Sequence, residues 1–249
     1  MQPSRYGIMA GTGMDKLFDL SEAREVKTPY GSASIYDVKG LENVFFLPRH
    51  GIDYSVPPHR INYRANIYAL KMMGIKYVIA TNAVGSLKKN LPPGSLVLPD
   101  QTIDFTKSRR STFFEGEDGK VVFTDVTQPY SEIVRSAIVK AGRLLKVNVH
   151  RRGTYVCTEG PRYETSAEIL AFKKLGGDVV GMTGVPEVFL ARELEIEYAT
   201  IATVTNYAAG IVDRISHNLV LEIMRRSQEK VKPLIVESIK VLREGEGNR

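Results

Sequence analysis

Short runs of apolar, largely β-branched residues alternate with longer amphipathic stretches along almost the whole chain. The apolar runs lie at 6–10, 44–47, 77–80, 96–98, 155–157, 179–182 and 199–204. Continuous apolar runs are typical of strands that are covered on both faces, as in parallel sheets. Helical periodicity appears between them, at 62–73, 131–145, 165–175, 186–194 and 218–242. The alternation predicts an α/β fold, with residues 1–249 in a single domain and helices flanking a mixed, mostly parallel central sheet.

Composition places the chain among ordinary globular proteins. It is 43% hydrophobic and 25% charged, so a core can form without disulfides. Cys157 is the only cysteine and lies in an apolar run, which predicts a buried strand position. No apolar run reaches the ~18 residues that indicate a membrane span, and the first residues do not read as a signal peptide. We therefore expect a cytoplasmic protein without a membrane partner.

The net charge of +6 does not predict a nucleic-acid site, because the basic residues are dispersed. The densest groups are 107–110, 150–152 and 225–226, which we interpret mainly as solvated surface. Residues 105–128 are the least regular segment, and segments of that length often have a function or form a subunit contact. In the last helix Pro233 predicts a kink or a break, and residues 243–249 are expected to fray.

Polar residues follow the predicted strands, where each strand ends. The clusters are Gly11-Thr12-Gly13, Arg49-His50, Thr81-Asn82-Ala83, Met182-Thr183-Gly184 and Thr205-Asn206. Ligands of open α/β sheets bind beyond the carboxyl ends of the strands. The recurrence therefore predicts one ligand site at that edge of the sheet.

Several of these residues are suited to a small anion. Backbone N–H groups of the Gly-Thr-Gly turn and the Thr12 hydroxyl could donate to it, and Arg49 could bind it in a bidentate manner. Asn82, the Ala83 N–H and Thr183 would add neutral donors, and His50 a further one. The turn lacks the third glycine of a dinucleotide fingerprint, and the chain has no Walker A sequence. This set favours orthophosphate over a nucleotide cofactor.

Two further polar residues match the edge of a purine. Glu164 only accepts hydrogen bonds when it is ionised, whereas Asn206 both donates and accepts. A 6-oxopurine offers an N1–H donor together with O6 and N7 acceptors, which this pair complements. A 6-aminopurine would instead favour a carboxylate at position 206. The pair predicts binding of hypoxanthine or guanine, provided that both residues face one pocket.

Other kinds of chemistry have little support in the sequence. The four histidines, His50, His59, His150 and His217, lack the spacing of metal ligands. No Gly-x-Ser-x-Gly elbow is present to support a serine nucleophile. We therefore expect direct displacement at a substrate carbon by bound phosphate, with no metal and no organic cofactor.

Six ordered motifs resemble the trimeric purine nucleoside phosphorylase and methylthioadenosine phosphorylase family over nearly the whole chain. They are Gly11-Thr12-Gly13, Arg49-His50-Gly51, Thr81-Asn82-Ala83-Val84-Gly85, Glu159-Gly160-Pro161-Arg162-Tyr163-Glu164-Thr165, Gly181-Met182-Thr183-Gly184-Val185-Pro186-Glu187-Val188 and Thr205-Asn206-Tyr207. The resemblance implies phosphorolysis of purine nucleosides in a homotrimer, or in a hexamer that is a dimer of trimers. A neighbouring subunit would close each site, and segment 105–128 is our candidate for that contact.

The resemblance also implies a role for each site residue. Phosphate contacts would come from Thr12, Arg49, His50, Asn82, Ala83 and Thr183. Nucleoside contacts would come from Tyr163 stacking on the base, Glu164 and Asn206 bonding it, Met182 beside the ribose, His217 at the 5′-hydroxyl, and the adjoining Tyr207 and Ala208. Asn206, Glu164 and His50 form the expected catalytic set.

The two branches of that family separate at the base-reading positions. The methylthioadenosine branch resembles this chain in Arg49-His50-Gly51 and in 62–67, but has aspartate at the position of Asn206 and a small residue at that of Glu164. The 6-oxopurine branch has asparagine and glutamate there, and a histidine that aligns with His217. We expect a phosphorylase of inosine and guanosine. The alternatives are a methylthioinosine phosphorylase, a methylthioadenosine phosphorylase (which Glu164 and Asn206 disfavour), a non-catalytic purine sensor and a basic nucleic-acid-binding module.

Overall fold

A computed structural model of the chain describes residues 3–11, 14, 16–116, 119, 121–211 and 217–247, without the side chains of His217 and Leu219. Its strands are β1 (Arg5–Ala10), β2 (Arg24–Thr28), β3 (Gly31–Asp37), β4 (Val44–Pro48), β5 (Ile75–Ser86), β6 (Leu96–Val97), β7 (Gln101–Phe105), β8 (Val149–His150), β9 (Thr154–Thr158), β10 (Val179–Gly181) and β11 (Glu197–Tyr207). Its helices are α1 (Tyr63–Met72), α2 (Glu132–Leu144), α3 (Ser166–Lys174), α4 (Glu187–Glu193) and α5 (His217–Gly247).

The strands join into one mixed sheet. Its main path is β2-β3-β4-β1-β5-β10-β9-β7, and β11 pairs with β5 and with β6, which in turn pairs with β8. The pairings β1–β4, β1–β5, β5–β11, β9–β10, β6–β8 and β7–β9 are parallel. Those of β5–β10, β6–β11, β2–β3 and β3–β4 are antiparallel. The predicted class, a mixed and mostly parallel sheet flanked by helices, is confirmed.

Helices cover both faces of the central strands, which explains the continuous apolar runs. On one face α1 and α4 pack through residues such as Ile67, Leu70 and Val188. On the other face α2 and α5 pack through residues such as Ile138 and Leu234. With a helix layer on each side, nearly all side chains of β1, β5 and β11 are buried, whichever face of the sheet they point to. Cys157 is fully buried in β9, as predicted.

The predicted helices are confirmed, but the chain end differs from expectation. Helix α5 continues through Pro233 to Gly247, so of the predicted kink or break the break does not occur. Fraying was expected over 243–249; it is wrong for 243–247, which continue the helix and are bonded to other parts of the chain, and 248–249 lie outside the described residues. Glu246 accepts hydrogen bonds from Ser4 and, at 2.9 Å, from the Tyr6 hydroxyl. Arg243 donates to the Glu42 carbonyl.

The sequence patterns missed β2, β3, β7 and β8, and placed two polar clusters too late. The missed strands are short and partly exposed, so they have no continuous apolar run. Thr81–Ala83 and Thr205–Asn206 do not follow strands but lie inside β5 and β11. These two long strands pair along their whole shared length, with a register shift between Val204 and Asn206. Their carboxyl halves therefore contribute polar side chains directly to the edge of the sheet. No helix within the described residues is long and apolar enough to cross a membrane.

Candidate active site

A cleft of about 700 Å³, including the part open to solvent, lies beyond the ends of the central strands. Eight of the residues predicted from the sequence line it, namely His50, Ala83, Tyr163, Glu164, Met182, Thr183, Asn206 and Ala208. Arg49 and Asn82 lie behind the lining, and Tyr207 faces elsewhere, donating from its hydroxyl to the Lys89 carbonyl at 3.1 Å. The predicted Thr12 lies outside the described residues, as does the side chain of His217.

Arg49 follows β4 and is held inside the core by Glu187 at the start of α4. Its Nε donates to Glu187 Oε1 at 2.6 Å and its Nη2 to Oε2 at 2.9 Å, and both side chains are 0% exposed. Glu187 also accepts from the Tyr198 hydroxyl at 2.8 Å. Burial opposes the charge of Arg49, but Glu187 more than offsets this, so the pKa of Arg49 lies above its usual value. The cation is permanent and has its counter-charge in the core.

Arg49 makes two further hydrogen bonds and lies close to Gly11 of the cleft lining. Nη2 also donates to the Met9 carbonyl at 3.3 Å, and Nη1 donates to the Thr81 carbonyl at 2.6 Å. Four of five N–H donors are then bonded, which leaves the second N–H of Nη1. Gly11, which lines the cleft, lies so close that a Cβ there would be 2.7 Å from Nη1. Glycine at position 11 therefore keeps Nη1 near the cleft.

His50 lines the cleft as a neutral imidazole. Burial lowers its pKa to about 4, with the nearby Arg49 charge acting in the same direction. Nδ1 lies 2.7 Å from the Val56 carbonyl, which can only accept, so Nδ1 bears the proton. Nε2 then has a lone pair and accepts. The sequence analysis expected a donor here, and the tautomer makes His50 an acceptor instead.

Asn82 and Thr183 form a hydrogen-bonded pair. Asn82 is 1% exposed on β5, and its Nδ2 donates to Thr183 Oγ1 at 2.7 Å. Its Oδ1 accepts from the hydroxyl of Thr200 on β11. Thr183 lies two residues after β10, and its backbone N–H donates to the Tyr155 hydroxyl at 3.3 Å. Its backbone is thus held by Tyr155 and its side chain by Asn82, and Thr183 lines the cleft.

Glu164 also lines the cleft and is 8% exposed. It precedes Thr165, the N-cap of α3, whose capping box with Glu168 fixes the start of that helix. The Glu164 carboxylate does not cap the helix; Oε1 accepts from the Thr158 hydroxyl at 2.7 Å. Burial raises the pKa of Glu164. This carboxylate is bonded through one oxygen in a poorly solvated place, which suits a ligand donor at the other.

Asn206 also lines the cleft and is oriented by its neighbours in the chain. Its Oδ1 accepts from the Thr205 hydroxyl at 2.8 Å, and its Nδ2 donates to the Tyr207 carbonyl at 2.9 Å. One N–H of the amide therefore remains for a ligand. The register shift in β11 falls at Thr205, and Asn206 pairs with Gly85 of β5 directly after it.

The rest of the lining is mainly apolar. Tyr163 is 39% exposed on the loop before α3, and Met182 follows β10. Gly160 has φ +66°, and a Cβ there would be 2.7 Å from Met182 Sδ. Glycine therefore lets the loop after β9 lie directly on Met182. Ala208 packs in a small apolar cluster below the lining.

Arg109 is a site-supporting residue that the sequence analysis missed. Its side chain is only 2% exposed, so its interpretation as solvated surface is wrong. Its guanidinium donates to the carbonyls of Glu159 at 2.8 Å and Met182 at 2.7 Å, and also to those of Thr158 and Val185. It lies over the Tyr63 ring, 4.9 Å from the centroid. Arg109 therefore ties the irregular segment after β7 to the loops after β9 and β10.

Sequence signals for the other missed partners differ in strength. Glu187 lies in a motif that was recognised, and an acidic residue in an otherwise apolar helix could have suggested a buried counter-charge. Thr158 and Thr200 show no such signal, because threonine is common in strands. Within the described residues, no group of three or more His, Cys, Asp or Glu side chains is placed to hold a metal ion.

Comparison with known proteins agrees with this geometry. The model of the phosphorylase superfamily matches residues 5–240. The chain is 51% identical over 236 residues to the "Probable 6-oxopurine nucleoside phosphorylase" of Dictyoglomus turgidum, covering 92% of this chain and 89% of the relative. It is 44% identical over 247 residues to the "Probable S-methyl-5'-thioinosine phosphorylase" of Thermodesulfovibrio yellowstonii, covering 98% and 93%.

Solved structures give the same result for the fold. The adenosine/methylthioadenosine phosphorylase of Schistosoma mansoni, in its S12T variant with methylthioadenosine, superposes with a TM-score of 0.89 at 34% identity. The match covers 95% of this chain and 91% of that one. The family model and these relatives extend over nearly all of the sequence, strands and site loops included. The chain therefore belongs to the phosphorylase superfamily.

Proposed function

We propose that the protein is a purine nucleoside phosphorylase that cleaves 6-oxopurine nucleosides, such as inosine and guanosine, with orthophosphate. The products are the free base and ribose 1-phosphate. One observation carries the proposal: His50, Thr183, Glu164 and Asn206 all line a single cleft. We assign His50 and Thr183 to a phosphate end and Glu164 and Asn206 to a base end, so that anion-binding groups and a purine-complementary pair act on one nucleoside.

At the phosphate end, donors of different charge surround the anion. Arg49 supplies the remaining N–H of Nη1 and a charge that is balanced in the core by Glu187. Thr183 supplies a hydroxyl. Ala83 also lines the cleft, and its backbone N–H is the donor expected from the sequence. Thr12, expected to join them, follows Gly11 in the chain. One cation with neutral donors binds phosphate without holding it too strongly to react.

His50 would act on the phosphate as an acceptor. Its Nδ1 proton is directed to Val56 O, so the Nε2 lone pair is the group offered to a ligand. Inorganic phosphate retains at least one P–OH near neutral pH, and that hydroxyl can donate to Nε2. The neutral imidazole would thus select the orientation in which the other phosphate oxygens, with their charge, face Arg49 and the sugar.

At the base end, the two reading residues have complementary open positions. Glu164 Oε1 is occupied by Thr158, which leaves Oε2 for the purine N1–H and for a 2-amino group. Asn206 has one N–H free of its bond to Tyr207 O, which could donate to N7 or O6. Tyr163, half-exposed on the same side, would stack on the base.

Bond cleavage follows from these positions. The C1′–N9 bond breaks early, which leaves positive charge on the sugar ring and negative charge on the purine. Phosphate stabilises the sugar cation and then bonds to C1′, while the electron pair of the broken bond remains on N9 of the base. Asn206 stabilises the departing purine through bonds that strengthen as its negative charge grows. This route requires no metal or organic cofactor, and that absence stays a prediction.

A methylthioinosine phosphorylase is the second candidate, favoured by the relative from T. yellowstonii at 44% identity. The two activities share the base end and differ at the 5′ side of the sugar. Val220, in the first turn of α5, lines the cleft, so this helix start borders the sugar side. We predict that His217→Val, at the first residue of α5, lowers use of inosine more than use of methylthioinosine. An unchanged ratio would mean that the 5′ pocket lies elsewhere.

The proposed assembly is a homotrimer or a dimer of trimers, in which segment 105–128 contacts a neighbouring subunit. Val121 and Phe123 support it, since they are 75% and 92% exposed and apolar. Residues 1–249 as one domain and a cytoplasmic location remain predictions. The family match over 5–240 and the single sheet support the first of these.

The deciding experiment measures phosphate-dependent base release from inosine, guanosine, methylthioinosine and methylthioadenosine in parallel. Cleavage of the first two at comparable or better kcat/KM than the others supports the proposal. Strong preference for methylthioinosine would favour the second candidate. Cleavage of methylthioadenosine alone would contradict the roles of Glu164 and Asn206. Nucleoside binding that is independent of phosphate, without base release, would indicate a purine sensor.

A further inference from the structure

Three buried polar side chains from three separate elements form a continuous hydrogen-bond chain that ends in the cleft. Thr200 on β11 donates to Asn82 Oδ1 on β5, and Asn82 Nδ2 donates to Thr183 Oγ1 at 2.7 Å. Thr200 and Asn82 are each 1% exposed, whereas Thr183 is 8% exposed and lines the cleft. The chain therefore connects the interior of the sheet to the proposed phosphate end.

The direction of this chain determines what Thr183 can offer a ligand. A threonine hydroxyl has one proton and can accept through its lone pairs. Since Asn82 donates to Thr183 Oγ1, the oxygen is used as an acceptor and its single proton is left for the cleft. If the Asn82 amide were reversed, Oδ1 would take that proton, and Thr183 would present only lone pairs to an anion.

Thr200 is bonded to the other end of the amide in the productive direction. Its hydroxyl donates to Oδ1, so Oδ1 lies toward β11 and Nδ2 toward Thr183. We propose that Thr200 and Asn82 are positioning residues that aim the Thr183 proton at the phosphate, so that Asn82 acts through Thr183 rather than by touching the anion. This inference rests on the proposed function and deepens its phosphate site. It differs from the sequence expectation, in which Asn82 contacts phosphate directly.

A matched pair of variants on one strand tests this relay, meaning the hydrogen-bond chain from Thr200 through Asn82 to Thr183. Thr200→Val removes the hydroxyl at constant shape. Thr203→Val is the control, because Thr203 is 0% exposed on the same strand and its hydroxyl has no hydrogen-bond partner in the described part of the chain. We expect Thr200→Val to raise the KM for phosphate roughly 10- to 100-fold, as for loss of one charge-assisted bond. The KM for inosine should change less than about twofold in either variant, and Thr203→Val should leave both constants near wild type.

Two further variants separate positioning from a loss of structure. Thr200→Ser keeps the donor, and we expect it to restore the wild-type KM for phosphate. Asn82→Asp offers acceptors to both threonines, and we expect it to abolish phosphate saturation while purine binding persists. Asn82→Asp also tests the relay if Thr200→Val does not fold. Three results would each overturn the relay. The first is an equal KM for phosphate in Thr200→Val and Thr203→Val, and the second is a rise in the KM for inosine as large as the rise in the KM for phosphate. The third is a wild-type KM for phosphate in Asn82→Asp.

Failure of the proposed function would be recognised separately. It would appear as absence of base release by the wild-type protein, whereas failure of the relay appears only in the ratios between variants. In the first case, calorimetric titration of inorganic phosphate into the wild type, Thr200→Val and Thr203→Val decides the relay. Weaker binding in Thr200→Val alone supports it. Equal dissociation constants, or no phosphate binding by the wild type, overturn it.

Discussion

At the proposed phosphate end of the cleft, polar side chains are bonded to one another through the core, whereas at the proposed base end each is held by groups close to it in the chain. Arg49 depends on Glu187, and Thr183 depends on Asn82 and Thr200, all of them buried. Glu164 and Asn206 depend on Thr158 and Thr205, which lie within six residues of them.

This difference predicts different consequences of mutation at the two ends. A buried charge that loses its partner destabilises the whole domain, because the remaining ion is neither paired nor hydrated. A reading residue supported only by groups close to it in the chain can change with little loss of folding energy. The base end can therefore vary in specificity on a constant phosphate end.

The largest effect is expected when the core ion pair is broken. Glu187→Gln leaves the Arg49 cation without its counter-charge, and we expect a loss of about 3–5 kcal/mol in the free energy of unfolding. Denaturant unfolding followed by circular dichroism measures it. Glu115→Gln is the control, since its partners Arg64 and Arg110 lie nearer the surface, and its loss of stability should be much smaller. Equal losses would show that the buried pair has no special importance.

The next effect should appear in specificity rather than in folding. Asn206→Asp puts a carboxylate opposite purine O6, so we expect kcat/KM for inosine to fall on the order of 10²–10³-fold. Cleavage of adenosine or methylthioadenosine should improve, because their 6-amino group can donate to the carboxylate. The melting temperature should stay close to wild type. Equal loss on both classes of substrate would contradict a base-reading role for Asn206.

Acid should destabilise the phosphate end through His50. Burial lowers the pKa of His50 to about 4, against 6.5 for the free side chain. Between these values the unfolded state binds the proton and the folded state does not, so stability falls as pH decreases from 6.5 to 4, by roughly 3 kcal/mol in total. His50→Gln should remove this part of the slope. His59→Gln, at an exposed site, is the control. An unchanged slope in His50→Gln would mean that other groups cause the acid sensitivity.

The smallest effect is expected at Glu164 and has the opposite sign. Burial raises the pKa of Glu164, so its contribution to stability is present at acid pH and lost as pH rises through the folded-state pKa. Glu164→Gln should therefore unfold with a higher free energy than wild type at pH 8, with the difference vanishing near pH 4, although base recognition is lost. Glu159→Gln should show no such gain, because Lys107 N–H and the Ser108 hydroxyl donate to the Glu159 carboxylate. A loss of stability in Glu164→Gln at pH 8 would contradict the sign.

Much of the fold could be predicted because burial on both faces leaves a simple pattern. The runs at 77–80 and 199–204 became the centres of β5 and β11, and all five predicted helices formed within a few residues of their predicted bounds. The hairpin of β2 and β3 was missed because its residues are largely exposed. The last turn of α5 was missed because contacts with Ser4 and Tyr6, at the other end of the chain, hold it.

The sequence by itself determined the α/β class, the order of the elements and the chemical types of the side chains at the cleft. These follow from local periodicity and from residue identity, both of which can be read along the chain. Only the tertiary structure decided the partners. Glu187 lies 138 residues from Arg49, and Thr200 lies 118 residues from Asn82. A hydrogen-bond direction, a tautomer or a buried counter-charge depends on which groups the fold brings within about 3 Å, and spacing along the chain has no information about that distance.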